Sequence, residues 1–488
     1  MPRDTRKITI LHSNDMHGDF LAESREPGSP LIGGLALLAG YINRVRKEEK
    51  TILYAIAGDM LQGSVIDAEF RGISTIEIMN YLAPDVATLG NHELDYGLPH
   101  LLFLEKMANF PILNANMYIR KYHKRLMRPH LVLSVDGFDV LFIGVITEMV
   151  LDQLRKDQEI ATFITLEEAS TEVGKICNAY RDEDIDLTVL LTHIGFESDK
   201  KLAALLRPEW GVDIIIGGHS HTILEKPEEV NGILIAQAGV GTDQIGRFDI
   251  VVDDETNSIV EYRWQLLPIS SSMAEPDQEL QKYIESFKEA VDRKYNTIVC
   301  RLAQKLTHPR REEETSLGNL FADIIAQRAG VDVALVGSGS IRVKELGPLV
   351  TLGEFRTALP FQEPLHRLTL AGAQLKRAFQ HVMRPENRTG EGECFQVSRG
   401  VKAVYVNDRK ELQSLTIHGR PVEEEGRYTI VLQDYQYQNP ENLGLSEQDW
   451  TAIEPPQIVA TSDQDVVEEY LRAHQNLNSA VEGRLEYR

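Results

Sequence analysis

Three cysteines in 488 residues, Cys177, Cys300 and Cys394, are too few, too distant and odd in number for a disulfide framework or a thiolate metal site. Their scarcity sets the expectation of a reducing compartment, with the cytoplasm as the address. Positive charge is also short: 51 Lys and Arg stand against 74 Asp and Glu, a formal net charge of −23. That balance opposes tight binding to a nucleic-acid backbone or an anionic membrane. A small anionic substrate stays compatible with it, provided a local cation such as a metal ion offsets the field. Long hydrophobic runs are missing as well, since the longest, residues 31–42, is too short and too glycine-rich to span a bilayer. Residues 1–7 are charged and lead straight into a strand pattern, so no secretory signal is expected. There is no repeat of fixed period and no low-complexity block.

What is present is an ordinary globular composition, 42% hydrophobic and 26% charged, over a length that requires two domains of unequal size. Strand patterns at 7–13, 51–57, 86–89, 111–115, 139–146, 187–191 and 212–216 alternate with helical ones at 31–47, 73–82, 98–107 and 165–180. Alternation of this kind predicts α/β layers with helices covering a sheet. Residues 233–264 read instead as antiparallel strands of one sheet finishing the first domain. A polar amphipathic helix at 276–295, capped by Asp277, reads as an interdomain connector. The expected divisions are 1–272, a linker at 273–296 and a second domain at 297–488. The last holds helices at 317–329 and 371–383, strands at 331–336, 401–406 and 428–432, and a terminal helix at 463–480.

The polar clusters of the first domain fall just after its strands. The tips carry Asn14-Asp15-Met16-His17-Gly18, Gly58-Asp59, Gly90-Asn91-His92-Glu93-Leu94-Asp95, Thr192-His193 and Gly217-Gly218-His219-Ser220-His221. In layered α/β proteins the carboxyl ends of the strands gather at one rim, where ligands bind. The five tips would bring Asp15, Asp59, Asn91 and five His into one crevice. Residues two apart in extended backbone point the same way, so Asp15-x-His17 and His219-x-His221 each offer two ligands. Imidazole and carboxylate without thiolate suit borderline divalent ions such as Zn, Mn, Fe or Co. The donors exceed what one ion needs, and two ions sharing a carboxylate is the economical solution. His12, His100, His123, His130 and His308 read as satisfied core or surface groups. Asp19 and Glu148 lie near motifs but match no ligand spacing.

Taken in order, Asp-x-His, Gly-Asp-x-x-x-Gly, Gly-Asn-His-Glu-x-Asp, Thr-His-x-Gly and Gly-Gly-His-Ser-His resemble the calcineurin-like metallophosphatases, and the appended domain resembles their 5′-nucleotidase and UDP-sugar hydrolase branch. The resemblance implies a four-layer αββα first domain, a linking helix and a smaller α/β substrate domain, with domain rotation opening and closing the site. It implies Asp15, His17 and His221 as ligands of a first metal, Asn91, His193 and His219 as ligands of a second, and Asp59 as the bridge. His92 and Asp95 match the catalytic dyad. Arg311 and Arg342 resemble substrate-contacting arginines. The first ring of the base-stacking pair falls on Cys394, with Phe395 adjacent. The Gly-Gly-Asp-Gly-aromatic motif of the second is absent, and Tyr435 and Tyr437 occupy that region. The implied function is release of phosphate from a small phosphorylated substrate, a nucleotide, by attack of a hydroxide bridging two divalent ions. A phosphodiesterase or pyrophosphatase and a weakly active metal- or nucleotide-binding regulatory protein are the alternatives. The charge disfavours a nuclease.

Overall fold

Alternate residues of two sets of strands contribute side chains to one buried layer, and that layer positions everything else in the first half of the molecule. The computed structural model describes residues 4–24, 26, 28–119, 121–122, 124–147, 161–388 and 394–488, so the expectations for His123 and Glu148 lie outside the described residues. The chain divides into two compact units, Met1–Val291 and Asp292–Arg488.

The first unit begins β1 (Thr5–Ser13), α1 (Leu35–Glu48), β2 (Ile52–Ala57), α2 (Val65–Phe70), α3 (Ile73–Leu82), β3 (Val86–Thr88), α4 (Leu98–Met107) and β4 (Ile112–Leu113). It continues with β5 (His130–Val135), β6 (Phe138–Ile146), α5 (Leu166–Ala179), β7 (Leu187–His193), α6 (Phe196–Leu205), β8 (Ile214–Ile216), β9 (Glu228–Val230) and β10 (Ile233–Ala236). β11 (Gln244–Asp253) and β12 (Ser258–Pro268) complete its sheets, and α7 (Gln278–Tyr295) runs across the boundary between the units. One six-stranded sheet has the order β12-β11-β1-β2-β3-β4, the other β9-β10-β8-β7-β6-β5.

The central strands are apolar on both faces, as parallel strands covered on two sides must be. Ile8, Ile10, Leu53, Ala55 and Val86 of the first sheet join Val140, Phe142, Val189, Leu191, Ile214 and Leu234 of the second in one buried cluster between the sheets. Leu141, Ile143, Leu190, Ile215 and Ile235 face the other way and pack with Val173 and Ile176 of α5 and Leu202 of α6. Helices on the outside and two sheets within make the four layers αββα. β1, β2, β3 and β4 are parallel, and so are β6, β7, β8 and β10. Each sheet therefore collects its carboxyl-terminal tips along one rim. Among the described residues no helix is long and apolar enough to cross a membrane.

Three expectations are corrected. Residues 233–264 do not form one antiparallel sheet: β10 runs parallel to β8 in the second sheet, whereas β11 and β12 extend the first antiparallel to β1. The apolar pattern from 31 onward becomes helical only at Leu35, because Gly33 and Gly34, with φ of 66° and 81°, turn the chain first. The helix expected over 463–480 stops at Ala473, beyond which His474 is extended, Asn476 turns with φ of 57° and Leu477 bridges to Leu302. Asp277 caps α7 as expected, accepting from the Glu279 and Leu280 amides. The amino-terminal turns of α7 pack into the first unit, where Tyr283 donates to Glu77 at 2.7 Å and Phe287 packs edge-on to Phe70.

The second unit contains α8 (Ser316–Ala329), β13 (Val333–Gly337), α9 (Leu352–Ala358), β14 (Leu365–Ala371), α10 (Gly372–Val382), β15 (Phe395–Val397), β16 (Val401–Val406) and β17 (Glu411–Ile417). β18 (Arg427–Gln433), α11 (Asp434–Gln438), β19 (Gln457–Ala460), α12 (Asp463–Ala473) and β20 (Leu485–Tyr487) follow. A five-stranded sheet in the order β15-β13-β18-β14-β19 lies at its centre. Ala334, Val336 and Val431 pack on one side with Phe321 and Ile325 of α8 and Val467 of α12. Leu335, Leu368 and Leu432 pack on the other with Phe379 of α10 and Tyr405 and Leu415 of the smaller sheet.

Candidate active site

The five tips of the first unit do converge. His17 Nε2 lies 3.1 Å from His221 Nε2, and His221 Nε2 lies 3.5 Å from Asp15 Oδ1. His193 Nε2 is 3.1 Å from Asp59 Oδ2, and Asn91 Oδ1 has His219 Nδ1 at 2.8 Å and His193 Nε2 at 3.2 Å. Asp15, His17 and His221 present donor atoms within one metal's reach, and Asp59, His193 and His219 do the same beside them. Asp59 also belongs to a third such group, with His17 and His92.

The route to this convergence differs from the one the sequence suggests. β1 ends at Ser13 and β8 at Ile216, so neither Asp15-x-His17 nor His219-x-His221 is extended backbone. Asp15, His17, Asp59, His219 and His221 instead hold φ of 51°, 49°, 54°, 80° and 52°. Left-handed backbone costs an L-residue about 1–2 kcal/mol. Five such residues in one cluster mean that the tips are bent toward a common point.

Hydrogen bonds between neighbouring turns hold the bends. His17 Nδ1–H donates to the Gln62 carbonyl at 3.1 Å and His193 Nδ1–H to the Ala57 carbonyl at 2.8 Å, which fixes both tautomers with Nε2 as the free donor atom. The His219 amide donates to both oxygens of Asp15 at 3.0 Å, and the His92 amide donates to Asp59 Oδ1 at 2.9 Å. Gly90 has to be glycine, because a Cβ there would lie 2.2 Å from Asp59 Oδ1.

Electrostatics follow from the same packing. Burial works to raise Asp59, yet the hydrogen bond and charge of His193, with the His92 amide, carry it below the usual carboxylate range. Burial works to lower His193, but its bond to Asp59 and the charges of Asp59 and Asp15 lift it to about 9. Imidazole nitrogens and carboxylate oxygens at these separations suit a cation placed between them, and the donor set fits borderline divalent cations. His92 stands at the edge of the cluster, its ring 5.3 Å from that of His17. Its Nδ1–H donates to Asp95 Oδ2 at 2.6 Å, and chiefly that bond raises its pKa.

Three supporting residues escape the sequence reading. Glu93 is buried and accepts four backbone amides: Met60 at 2.8 Å and Leu61 at 3.2 Å on Oε1, Asp59 at 3.0 Å and Gly90 at 2.5 Å on Oε2. Burial, with the Asp59 carboxylate beside it, pushes Glu93 up to about 7. Asn14 donates to Asp15 Oδ2 at 2.7 Å and accepts the Ala238 amide at 2.8 Å. Asp67 accepts the Gln62 amide at 2.9 Å and the Tyr96 hydroxyl at 3.2 Å, bracing the turn that holds His17. The signal for Glu93 and Asn14 was their place inside the polar clusters at the strand ends; Asp67 had none. Asp19 accepts from Thr242, the His100 ring donates to the Arg71 carbonyl, and His130 and His308 bond to Tyr180 and to Thr315 and Ser338. His12 corrects the expectation of a satisfied group: it is buried against Trp264 and neither ring nitrogen has a partner among the described residues.

The second unit holds a cavity of about 520 Å³ lined by Arg311, Arg342, Phe361, Glu363, Tyr435 and Gln436, with the small residues Gly337, Gly339 and Ser340. Arg311 lies against Gly339, where a Cβ would come within 3.0 Å of Nη2. The Arg342 guanidinium sits over Phe361, 5.2 Å from the ring centroid. Tyr435 is 48% exposed at the cavity wall. Two of the expected aromatic contacts fail. Phe395 and Val397, two apart on β15, face the buried cluster around Phe379 and Tyr405, so strand alternation turns Phe395 inward. Tyr437 stacks on His366 at 4.0 Å and 4°, with Trp450 flanking it, so its ring belongs to the core wall. Cys394 is buried too. Phe361 is the ring the sequence reading missed. Its signal was an aromatic between Pro360 and Pro364, in a stretch that suits neither helix nor strand.

Comparison with known proteins agrees with this division. The profile of calcineurin-like phosphoesterases matches residues 8–222, and that of the 5′-nucleotidase C-terminal domain matches residues 297–444. A 5′-nucleotidase-related protein of Glossina morsitans morsitans is 30% identical, over 82% of this chain and 79% of its own. The 5′-nucleotidase of Mus musculus is 27% identical, over 99% of this chain and 90% of its own. The crystal structure of a 5′-nucleotidase precursor from Thermus thermophilus shares the fold, with a TM-score of 0.62, 24% identity and 99% of each chain covered.

Proposed function

Because this chain belongs to the 5′-nucleotidase family of calcineurin-like phosphoesterases, and so is a metal-dependent phosphoric ester hydrolase, we propose that its substrates are 5′-nucleotides, from which it releases phosphate. The observation that carries the proposal is the convergence of Asp15, His17, Asp59, Asn91, His193, His219 and His221 beside the His92–Asp95 pair. Proteins of this family use two divalent ions. Here Asp15, His17 and His221 would hold one, Asn91, His193 and His219 the other, and Asp59 both. When bound, such ions supply Lewis acidity toward phosphoryl oxygens and acidify water near neutral pH.

The chain's own residues do the rest. Asp95 accepts the Nδ1–H bond of His92, which leaves Nε2–H of the imidazolium to meet negative charge on the phosphoryl or leaving oxygen. The Asp95 bond, which chiefly raises the pKa of His92, favours the protonated ring. A positioned acid of this kind is worth about 10²–10⁴-fold. Glu93 ties the Asp59 turn to the Gly90 turn, so the bridging carboxylate and the His92 amide keep their register. In the second unit Arg311 and Arg342 supply forked donors for an anionic group, and Phe361 and Tyr435 supply rings for a base.

The test is a panel of AMP, other 5′-nucleotides, a UDP-sugar, p-nitrophenyl phosphate and its bis-ester, assayed with Mn, Zn, Co, Mg and chelator. Nucleoside monophosphates should give the largest kcat/KM, and chelator should abolish turnover. Faster hydrolysis of the diesters, or full activity in chelator, would overturn the reading.

A further inference from the structure

Glu363 is the one carboxylate among the described residues that line the cavity of the second unit, and it is fixed from three sides. Its amide donates to Asp463 Oδ1 at 3.0 Å, its carbonyl accepts the Asp463 amide at 2.8 Å, and its Oε2 accepts the Tyr435 amide at 2.8 Å. Oε1 has no hydrogen-bond partner among the described residues. Burial, with the carboxylates of Asp463 and Asp434, raises the Glu363 carboxyl above its usual range against the pull of the Tyr435 amide. The cavity thus presents a carboxylate acceptor as well as guanidinium donors, with the Phe361 and Tyr435 rings in the same lining.

We infer that Glu363 makes this cavity discriminate nucleobases, favouring those with an exocyclic amino group over their carbonyl counterparts. The inference rests on the nucleotide reading above and adds the class of base. The rings accept any base, because every base has a π-face. An ionised carboxylate only accepts hydrogen bonds. Opposite Oε1, the amino group of cytosine or adenine donates, whereas the carbonyl of uracil or hypoxanthine sets two acceptors against each other. A hydrogen bond to a charged partner, lost and replaced by such a clash, costs at least about tenfold in kcat/KM. Because Oε2 and the backbone of Glu363 are already bound, the side chain cannot swing away without breaking the Tyr435 contact.

The experiment compares two pairs that differ in that group and in the proton on the adjoining ring nitrogen, CMP with UMP and AMP with IMP, at about pH 8, well above the ordinary carboxylate range. The quantity read is the ratio of kcat/KM within each pair, so the overall activity of a variant cancels. Wild type should favour CMP and AMP by about tenfold or more. In Glu363→Gln, whose amide can also donate, the ratios should fall toward one or invert, and in Glu363→Ala they should fall toward one. Equal use of both members by wild type, or ratios unchanged in both variants, would overturn the inference while leaving the nucleotide reading intact. If p-nitrophenyl phosphate is hydrolysed and no nucleotide is, the nucleotide reading fails instead. Inhibition of p-nitrophenyl phosphate hydrolysis by cytidine and by uridine then decides the role of Glu363: stronger inhibition by cytidine supports it, and equal inhibition refutes it.

Discussion

The metal cluster of the first unit and the cavity of the second are built in opposite ways. Five of the seven candidate ligands sit in left-handed backbone, and their side chains are pinned by buried bonds such as Asn14 to Asp15 and His193 to Ala57. The cavity is lined by side chains on loops and short helices, and its one cation–ring contact, Arg342 over Phe361, leaves both groups at the wall. Chemistry that needs several charges at fixed separation tolerates little variation, and the strain is offset by the hydrogen bonds around it. Recognition by stacked rings and forked donors can be met by many arrangements. The first region is therefore specified residue by residue, the second only by the kind of surface it presents.

The largest expected effect breaks the first region. Asp59→Ala removes the carboxylate shared between the two candidate ligand groups, so turnover should vanish and metal content, read by mass spectrometry of the purified protein, should drop below that of wild type. Full activity with an unchanged metal content would mean that Asp59 bridges nothing.

Next comes the dyad. His92→Ala should retain its metals and lose roughly 10²-fold or more in kcat. Asp95→Asn should lose less, because it disturbs the orientation and proton affinity of the imidazole without removing it. Loss of metal in His92→Ala would make His92 a ligand, in line with its place beside His17 and Asp59.

In the second region the effects should be smaller and confined to binding. Phe361→Ala should raise KM for nucleotides by about tenfold, the worth of one base–ring stack. Phe395→Leu should leave KM unchanged and lower stability by about 1 kcal/mol or more, as large-to-small core changes do. A KM effect from Phe395 and none from Phe361 would reverse the assignment of the two rings.

The differences in legibility have the same origin. His, Asp and Asn at strand ends are chemically unusual, so the candidate ligands and the His92–Asp95 pair that the structure brings together could be chosen from the sequence. How they converge was not legible: alternation suggested extended tips, whereas left-handed turns at Asp15, His17, His219 and His221 do the work. In the second unit Arg311, Arg342 and Tyr435 reach the cavity, but Phe395 and Tyr437 do not, since an aromatic residue carries no mark of which face it will take. Layering was legible from strand–helix alternation, while the assignment of Ile233–Ala236 to the second sheet depends on pairings that local patterns do not encode.

The mildest prediction concerns His12, which burial holds down to about 3. The folded protein keeps this ring neutral while the unfolded chain takes up a proton below about pH 6.5. Stability from this source is complete above that pH and falls by about 1.4 kcal/mol per unit as pH drops toward the folded value. Denaturant unfolding of wild type and His12→Leu between about pH 7 and pH 5 should show the steeper loss in wild type. Parallel curves would show that His12 gains a partner or a proton in the folded state.

The central claim is that the seven side chains of the first unit form two adjoining cation sites joined by Asp59. Anomalous scattering from crystals soaked in manganese tests it most directly. Two peaks per chain are expected, one among Asp15, His17 and His221 and one among Asn91, His193 and His219, each within bonding distance of Asp59. A single peak, or two peaks with Asp59 bound to only one, would contradict the account.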